Sequence, residues 1–249
     1  MPERRFRRER HQVVAAALDA MNGAFLGTAR CGFGGGTRIV LELGEYRESE
    51  DLDFLCASRP GYRALRSTVT ERSLGDILRA PVPLAREVRA DRYGIRTFLE
   101  IGGRKVKLEI VNEGRIDLAL EQVRSIPVPC LDRVSCFAEK FLANADRGSD
   151  DATLGRDAID LAFTIEAWGT GTAAEGAAIA REAYGSMIDR AAKAAGTRLL
   201  ERKEHLKRCI AALAVTRQKE LVAGLRALAS GSWLAASGTK ANARRRIDR

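Results

Sequence analysis

Histidine, cysteine and aromatic residues are scarce in this chain of 249 residues, and aromatic residues make up only 6% of it. The two histidines, His11 and His205, are too few for a metal site built from imidazoles. The five cysteines are scattered, odd in number and without C-x-x-C spacing, so they indicate neither a zinc site nor a disulfide framework. We therefore expect reduced thiols, as in a protein of the cytoplasm.

Long apolar runs are also missing. No stretch approaches the length of a membrane span, and no signal-like apolar core with a cleavage site follows the basic N-terminus. We therefore expect a cytoplasmic location without membrane association. The hydrophobic fraction is nevertheless 45%, which is enough for a core in one domain with a helical extension, or in two small domains.

The positive charge of the chain is concentrated at its two ends. The formal net charge is +9, of which the first ten residues supply +3 and the last ten supply +4. Basic ends of this kind are either solvated extensions or contacts for a nucleic-acid backbone, and the sequence leaves both possibilities open. The cationic residues concerned are Arg4, Arg5, Arg7, Arg8 and Arg10 at one end, and Lys240, Arg244, Arg245, Arg246 and Arg249 at the other.

Two carboxylates spaced two residues apart occur in the segment Asp51-Leu52-Asp53-Phe54. In a strand, residues two apart face the same side, so Asp51 and Asp53 would project together, away from the apolar neighbours. Two convergent carboxylates suit Mg²⁺, which usually keeps positions open for phosphate oxygens. The alternative is a solvated acidic turn. The order and spacing of the neighbouring motifs favour a metal site.

A glycine-rich turn, Gly34-Gly35-Gly36-Thr37, precedes the carboxylates. Glycines allow close approach of the backbone to a phosphate, and backbone N–H groups at the start of a following helix can bind it. Gly35, Gly36 and Thr37 are therefore candidate nucleotide-binding residues. A tight turn needed only for backbone geometry is the alternative, and the two roles are compatible.

A third carboxylate, Glu109, lies in an apolar run between Leu108 and Ile110. Residues 96–101 and 105–111 are predicted to form two strands joined by a hairpin turn at Gly102-Gly103. Because metal-assisted phosphoryl transfer commonly uses several carboxylates, Glu109 is a candidate metal ligand or general base. It could also be an ordinary outward-facing strand residue.

These motifs resemble the AbiEii/AbiGii group of toxins with a nucleotidyltransferase fold, which includes the MenT-type toxins. Residues 33–54 are close to the group's G-G-T…R-x-S-x-D-h-D-h pattern. Residues 107–110 are similar to its third-carboxylate strand, residues 138–141 to its lysine-bearing helix, and residues 156–161 to its R-D-h-x-D-h helix. Glu109 departs from the aspartate of many relatives, and nothing after Trp168 matches.

The resemblance implies an α/β fold, with a polymerase β-like mixed-sheet core followed by a helical domain. It implies transfer of a nucleoside monophosphate from an NTP to an RNA acceptor, with Mg²⁺ or Mn²⁺ as the cofactor. The acceptor in MenT-type relatives is the 3′ end of tRNA, and such a toxin has a cognate antitoxin. A small-molecule nucleotidyltransferase and a non-catalytic RNA-binding module remain the alternative functions.

The resemblance also implies roles for particular residues. Asp51, Asp53 and Glu109 would hold the metal, Lys140 the triphosphate, and Asp157 the acceptor or base. The remaining nucleotide-binding candidates are Arg47, Ser49 and Asp160, together with the glycine turn.

Each of these residues has an ordinary structural interpretation. Lys140 falls beside the predicted buried stripe of a helix over residues 132–146, where a lysine is usually solvated. Asp157 and Asp160 share a helix face, and Arg156, one turn before Asp160, could form an ordinary surface ion pair with it. Arg47 could bind phosphate or neutralise the neighbouring glutamates, and Ser49 shares the face of the two aspartates.

The predicted organisation has three parts. A nucleotidyltransferase core covers residues 1–168 and a helical domain covers residues 173–234, with the boundary at Gly169-Thr170-Gly171-Thr172. Residues 235–249 are predicted to be a basic tail.

Overall fold

The computed structural model describes residues 6–234. These residues form two compact units, divided between Asp132 and Arg133. The cationic positions 4, 5 and 240–249 lie outside the described residues, as does the predicted tail.

The first unit contains a mixed seven-stranded sheet, which confirms the α/β class. Its strand order is β3-β4-β5-β2-β1-β7-β6, with β2 and β5 parallel to each other and β1 parallel to β7. The elements are α1 (Glu9–Ala20), α2 (Gly23–Thr28), β1 (Cys31–Phe33), α3 (Gly35–Glu42), β2 (Leu52–Cys56), α4 (Arg59–Ser67), β3 (Leu84–Ala90), β4 (Gly94–Ile101), β5 (Arg104–Asn112), β6 (Leu120–Glu121) and β7 (Cys130–Leu131).

The strands β2 and β5 separate an apolar from a polar face. Leu52 and Leu108 are paired across them and completely buried, whereas the next pair, Asp53 and Glu109, is half-buried. This alternation follows from the two-residue period of a strand. The apolar residues belong to one hydrophobic cluster with α1 side chains such as Leu18.

The hairpin between β4 and β5 forms as predicted. Gly102 and Gly103 connect the strands with φ angles of 56° and 76°. Positive φ at both turn residues is the requirement of a two-residue turn that matches strand twist, and glycine meets it without steric cost. The turn therefore determines which residues of β4 and β5 face each other.

The N-terminal segment packs against the unit. Phe6 is only 6% exposed and packs into the unit, whereas Arg7, Glu9 and Arg10 are exposed. The nearby arginines pair with the acidic residues of the segment between α3 and β2. These ion pairs join Arg7 to Glu45, Arg8 to Glu48, and Arg10 to both Glu48 and Glu50.

The second unit is helical. Its elements are α5 (Arg133–Arg147), α6 (Arg156–Tyr184), α7 (Met187–Glu201), α8 (Lys203–Ala212) and α9 (Gln218–Ser230). Aromatic packing joins α5 to the end of this unit, where the Phe141 and Trp233 rings lie 4.8 Å apart between centroids. No helix among the described residues is both long and apolar enough to cross a membrane.

The glycine–threonine segment at residues 169–172 lies inside α6. Gly169 has φ 85° and ψ 160°, which are not helical angles, so two helical segments meet there at a kink. The compact units divide earlier, at Asp132 and Arg133, because α5 and both parts of α6 belong to one helical body. The division therefore differs from the domain boundary predicted from sequence.

Candidate active site

The three carboxylates predicted to bind metal come from neighbouring parts of the sheet. Asp53 lies in β2, Asp51 directly precedes that strand, and Glu109 in β5 is the register partner of Asp53. Both aspartates are half-buried. The parallel pairing of β2 and β5 thus brings together residues that are distant in sequence.

The glycine turn packs directly on Asp53. The Gly34 N–H donates to the backbone carbonyl of Asp53 at 2.8 Å, just before α3 begins at Gly35. Gly35 has φ +66°, and a Cβ atom there would lie 2.6 Å from Asp53 Oδ2. A glycine at this position is required by both the backbone angle and the nearby carboxylate.

The other two residues of the turn lie within α3. Gly36 and Thr37 are buried, and the Thr37 and Ser49 hydroxyl oxygens are 2.8 Å apart. This contact connects the first turn of α3 to the segment that leads to Asp51. The first backbone N–H groups of any helix have no partner within the helix, so this turn offers donors beside Asp53.

Glu109 is held by two cations on the same sheet face. Arg96 Nε donates to Oε1 at 2.7 Å, and Lys107 Nζ donates to Oε2 at 2.9 Å. Burial opposes ionisation of Glu109, but these hydrogen bonds outweigh it and lower its pKa. Burial likewise opposes charging of Lys107, and its pKa is raised because Glu109, Asp53 and Asp51 are close. Lys107 and Glu109 are therefore both charged, so this face of the sheet carries a positive and a negative group side by side.

A buried network supports the segment before Asp51. His11 is fully buried; its Nδ1 lies 2.9 Å from Glu45 Oε1, and the Ser49 N–H donates to its Nε2 at 3.3 Å. The Ser49 bond requires an unprotonated Nε2, so Nδ1 carries the proton that Glu45 accepts. Burial lowers the pKa of His11, which keeps the ring neutral.

Glu45 is the centre of this network. Its carboxylate accepts hydrogen bonds from the backbone N–H groups of Arg7 and Arg8. Burial alone would raise the pKa of Glu45, but the backbone and His11 hydrogen bonds outweigh it and lower the pKa to about 2. Sequence reasoning missed His11 because Glu45 lies 34 positions away, without any periodic signal.

Arg47 lies in the same segment and is buried. Its Nη1 donates to the carbonyl of Glu48 at 2.7 Å, and its guanidinium lies 6.0 Å from the centre of the Tyr46 ring. The glutamates that Arg47 could neutralise form ion pairs with other arginines. Glu45 pairs with Arg7, Glu48 with Arg8 and Arg10, and Glu50 with Arg10.

The remaining predicted site residues form a cluster in the helical unit. Lys140 Nζ on α5 lies 2.9 Å from Asp157 Oδ1 and 2.7 Å from Asp160 Oδ2 on α6, and Arg147 Nε lies 2.7 Å from Asp157 Oδ2. The solvated flank position, which was the alternative to a functional role for Lys140, is ruled out because its ammonium is buried between two carboxylates. A surface pair is likewise wrong for Asp157 and Asp160, which are 2% and 0% exposed.

The charges in this cluster stabilise one another. Burial disfavours the charged form of Asp157, but Lys140 and Arg147 outweigh that effect and lower its pKa. A buried carboxylate keeps its charge at neutral pH only where such partners are present. The structure therefore brings Lys140, Asp157 and Asp160 together as one ionised group within the second unit.

The sheet carboxylates are suitable in kind for a divalent ion. Within residues 6–234, no group of three or more histidine, cysteine or acidic side chains is already arranged around a metal position. Asp51 and Asp53 offer the hard oxygen atoms that Mg²⁺ prefers. A carboxylate has about four acceptor sites, so Glu109 keeps capacity beyond its two hydrogen bonds. The donor chemistry therefore fits Mg²⁺ or Mn²⁺.

A mixed sheet carrying Asp-x-Asp beside a glycine turn defines a nucleotidyltransferase. The family model for the nucleotidyl transferase AbiEii toxins of type IV toxin–antitoxin systems matches residues 17–225, so the chain belongs to this family. No curated protein matches it.

Two solved structures from Helicobacter pylori are similar to the chain. JHP933 has a TM-score of 0.50 at 14% identity, covering 92% of this chain and 95% of that one. A candidate nucleotidyltransferase has a TM-score of 0.49 at 14% identity, covering 91% and 95%. At 14% identity, the similarity to JHP933 concerns the fold alone.

The contact between Gly35 and Asp53 leads to a testable expectation. Gly35→Ala should reduce transfer by about 100-fold, because the added Cβ displaces the carboxylate, and misplacement by about 1 Å at a reaction centre has effects of that size. The control is Gly44→Ala, since Gly44 has φ +76° but nothing within 4 Å of its added Cβ. Initial rates and melting temperatures of both variants separate the contact from backbone strain. Equal losses of activity would contradict it.

Proposed function

We propose that the chain transfers a nucleoside monophosphate from an NTP to an RNA acceptor, the 3′ end of tRNA, and releases pyrophosphate. The observation that carries the proposal is the pairing of Asp53 with Glu109, with Asp51 directly before the strand and the glycine turn packed on Asp53. Carboxylates and helix-start N–H groups side by side suit a metal-bound triphosphate. In the cell, the transfer would stop growth until a cognate antitoxin acts.

In the proposed reaction, the protein mainly aligns its substrates. Asp51, Asp53 and Glu109 would hold Mg²⁺ or Mn²⁺, which when bound neutralises charge on the transferred phosphoryl group. The N–H groups of Gly35, Gly36 and Thr37 bind phosphate oxygens. Glu109 is also proposed as the base that accepts the proton of the acceptor hydroxyl.

For five further residues, the proposal extends the family resemblance. Lys140 is a point charge suited to the triphosphate, and Asp157, which is ionised and buried, is suited to orient the acceptor or its base. Asp160 would hold Lys140 in the required position. Arg47 is proposed as a further phosphate ligand. Ser49 supports the turn through its hydroxyl contact with Thr37.

The test is a transfer assay with the full chain, each α-labelled NTP, Mg²⁺ and total RNA. We expect label in the tRNA fraction with at least one NTP, and none after the metal is removed with EDTA. The control is RNA treated with periodate before the assay. It should gain no label from the NTP, because oxidised 3′ ends lack the acceptor hydroxyl. Label that appears only in a small molecule, or binding of RNA without any transfer, would contradict the proposal.

A further inference from the structure

The polar face of the sheet continues from the carboxylates into a row of cations. Register pairs place Asp53 opposite Glu109, Glu109 opposite Arg96, and Arg96 opposite Arg89, across β2, β5, β4 and β3. Residues directly opposite each other share a face. At about 4.8 Å per strand, this row extends about 14 Å from Asp53 to the edge strand.

A second row runs beside the first. Lys107 is opposite Phe98, and Phe98 is opposite Arg86. Arg86 and Arg89 are three positions apart and would face opposite sides of a regular strand, but a register shift between them gives both a partner on the polar face. Irregularities of this kind redirect side chains in many sheets. We call Arg86, Arg89, Arg96, Phe98 and Lys107 the basic sheet face.

The cations nearest the carboxylates are held in place. Arg96 and Lys107 each donate to Glu109 and remain 39% exposed. Arg86 and Arg89 are exposed, and neither makes an ion pair with any of residues 6–234. Phe98 is half-exposed between Lys107 and Arg86. Positive charge therefore remains available around an aromatic ring, beside the carboxylates proposed to hold the metal.

We propose that the basic sheet face binds single-stranded RNA that leads into the carboxylate site. The inference rests on the proposed function, because it concerns the acceptor of that reaction. Rows of cations on either side of an aromatic ring suit a single strand, whose phosphates contact the cations while an unpaired base stacks on the ring. A duplex keeps its bases stacked inside and offers none to Phe98.

RNA affinity measured over a salt series tests the proposal without any chemical step. The full-length protein is titrated into a fluorescent single-stranded RNA and into its duplex, without NTP or metal. The variants are Arg86→Ala/Arg89→Ala, which removes two cations without ion pairs, and Phe98→Leu, which removes the ring but keeps apolar volume. The control Arg63→Ala/Lys219→Ala removes the same charge from exposed positions on α4 and α9.

We expect the arginine variant to bind the single strand more weakly, with the slope of log affinity against log salt reduced by about 0.7 per lost phosphate contact. Phe98→Leu should weaken single-strand binding about tenfold at every salt concentration and leave the slope unchanged. The control should behave as the parent. Melting temperatures of all variants establish that they are folded.

Two results would overturn the proposal. One is an unchanged salt slope for the arginine variant, which is the decisive variant if Phe98→Leu fails to fold. The other is a loss of NTP affinity without loss of RNA affinity, which would place these cations on the nucleotide instead. Failure of the transfer assay is a separate outcome, since RNA affinity is measured without NTP. If the parent transfers nucleotide and the variants have no effect, the RNA-binding role of the basic sheet face is contradicted, but the proposed reaction is not.

Discussion

Replacing Asp53 with asparagine should lower transfer more than about 100-fold while leaving the fold intact. Asparagine has nearly the same shape as aspartate but lacks the negative charge that a divalent ion requires. Loss of residues that merely support metal ligands already costs about 10-fold to 100-fold, and a ligand should cost more. Asp117→Asn, which removes the same charge at an exposed position of the first unit, is the matched control.

Metal binding provides a second measurement for this variant. A ligand that binds only the folded state raises the melting temperature. Mg²⁺ should therefore raise the melting temperature of the parent and of the Asp117 control, but not that of Asp53→Asn. A variant with parental turnover and a parental response to Mg²⁺ would show that Asp53 is not a ligand, and the proposed reaction would lose its metal site.

The second large effect concerns Lys140 and protein stability. Lys140→Met should lower the free energy of unfolding of the helical unit by about 3–5 kcal/mol, because Asp160 and Asp157 lose their shared ammonium inside the unit. Asp157 would keep Arg147 as its partner. Both tryptophans, Trp168 and Trp233, belong to this unit, so urea unfolding followed by tryptophan fluorescence reports on it directly.

A double variant distinguishes a structural from a catalytic role of this lysine. Lys140→Met/Asp160→Asn removes one charge of each sign and should recover much of the lost stability, because no carboxylate is left without a cation. If the double variant is stable but inactive, the Lys140–Asp160 pair acts in transfer as well as in folding. Parental stability of the single variant would be inconsistent with the buried cluster described here.

Local pattern accounts for the elements that were predicted correctly. The hairpin follows from two glycines between runs of alternating polar and apolar residues. The same turn also determines which residues are paired farther along the two strands. Arg96 and Glu109 are equally far from the Gly102-Gly103 turn, so a two-residue turn already makes them partners. The sequence therefore already indicates that the positive charges of Arg96 and Lys107 lie beside Glu109, although the prediction for this strand concerns only its carboxylate.

Contacts between distant segments account for what was missed. The pattern of its own helix places Lys140 beside the buried stripe, but its burial depends on Asp157, 17 positions away on the next helix. The compact units divide before α5 because packing groups the helices, whereas glycine content only marks places where the backbone bends. Neither relation produces a periodic signal along the chain.

The way in which Glu45 is held has a consequence for sequence variation. Its donors at positions 7 and 8 include backbone N–H groups, which every amino acid except proline possesses. Among related chains, proline should therefore be excluded from these two positions. The side chains at positions 11 and 45 are joined by a buried hydrogen bond, and should change only together.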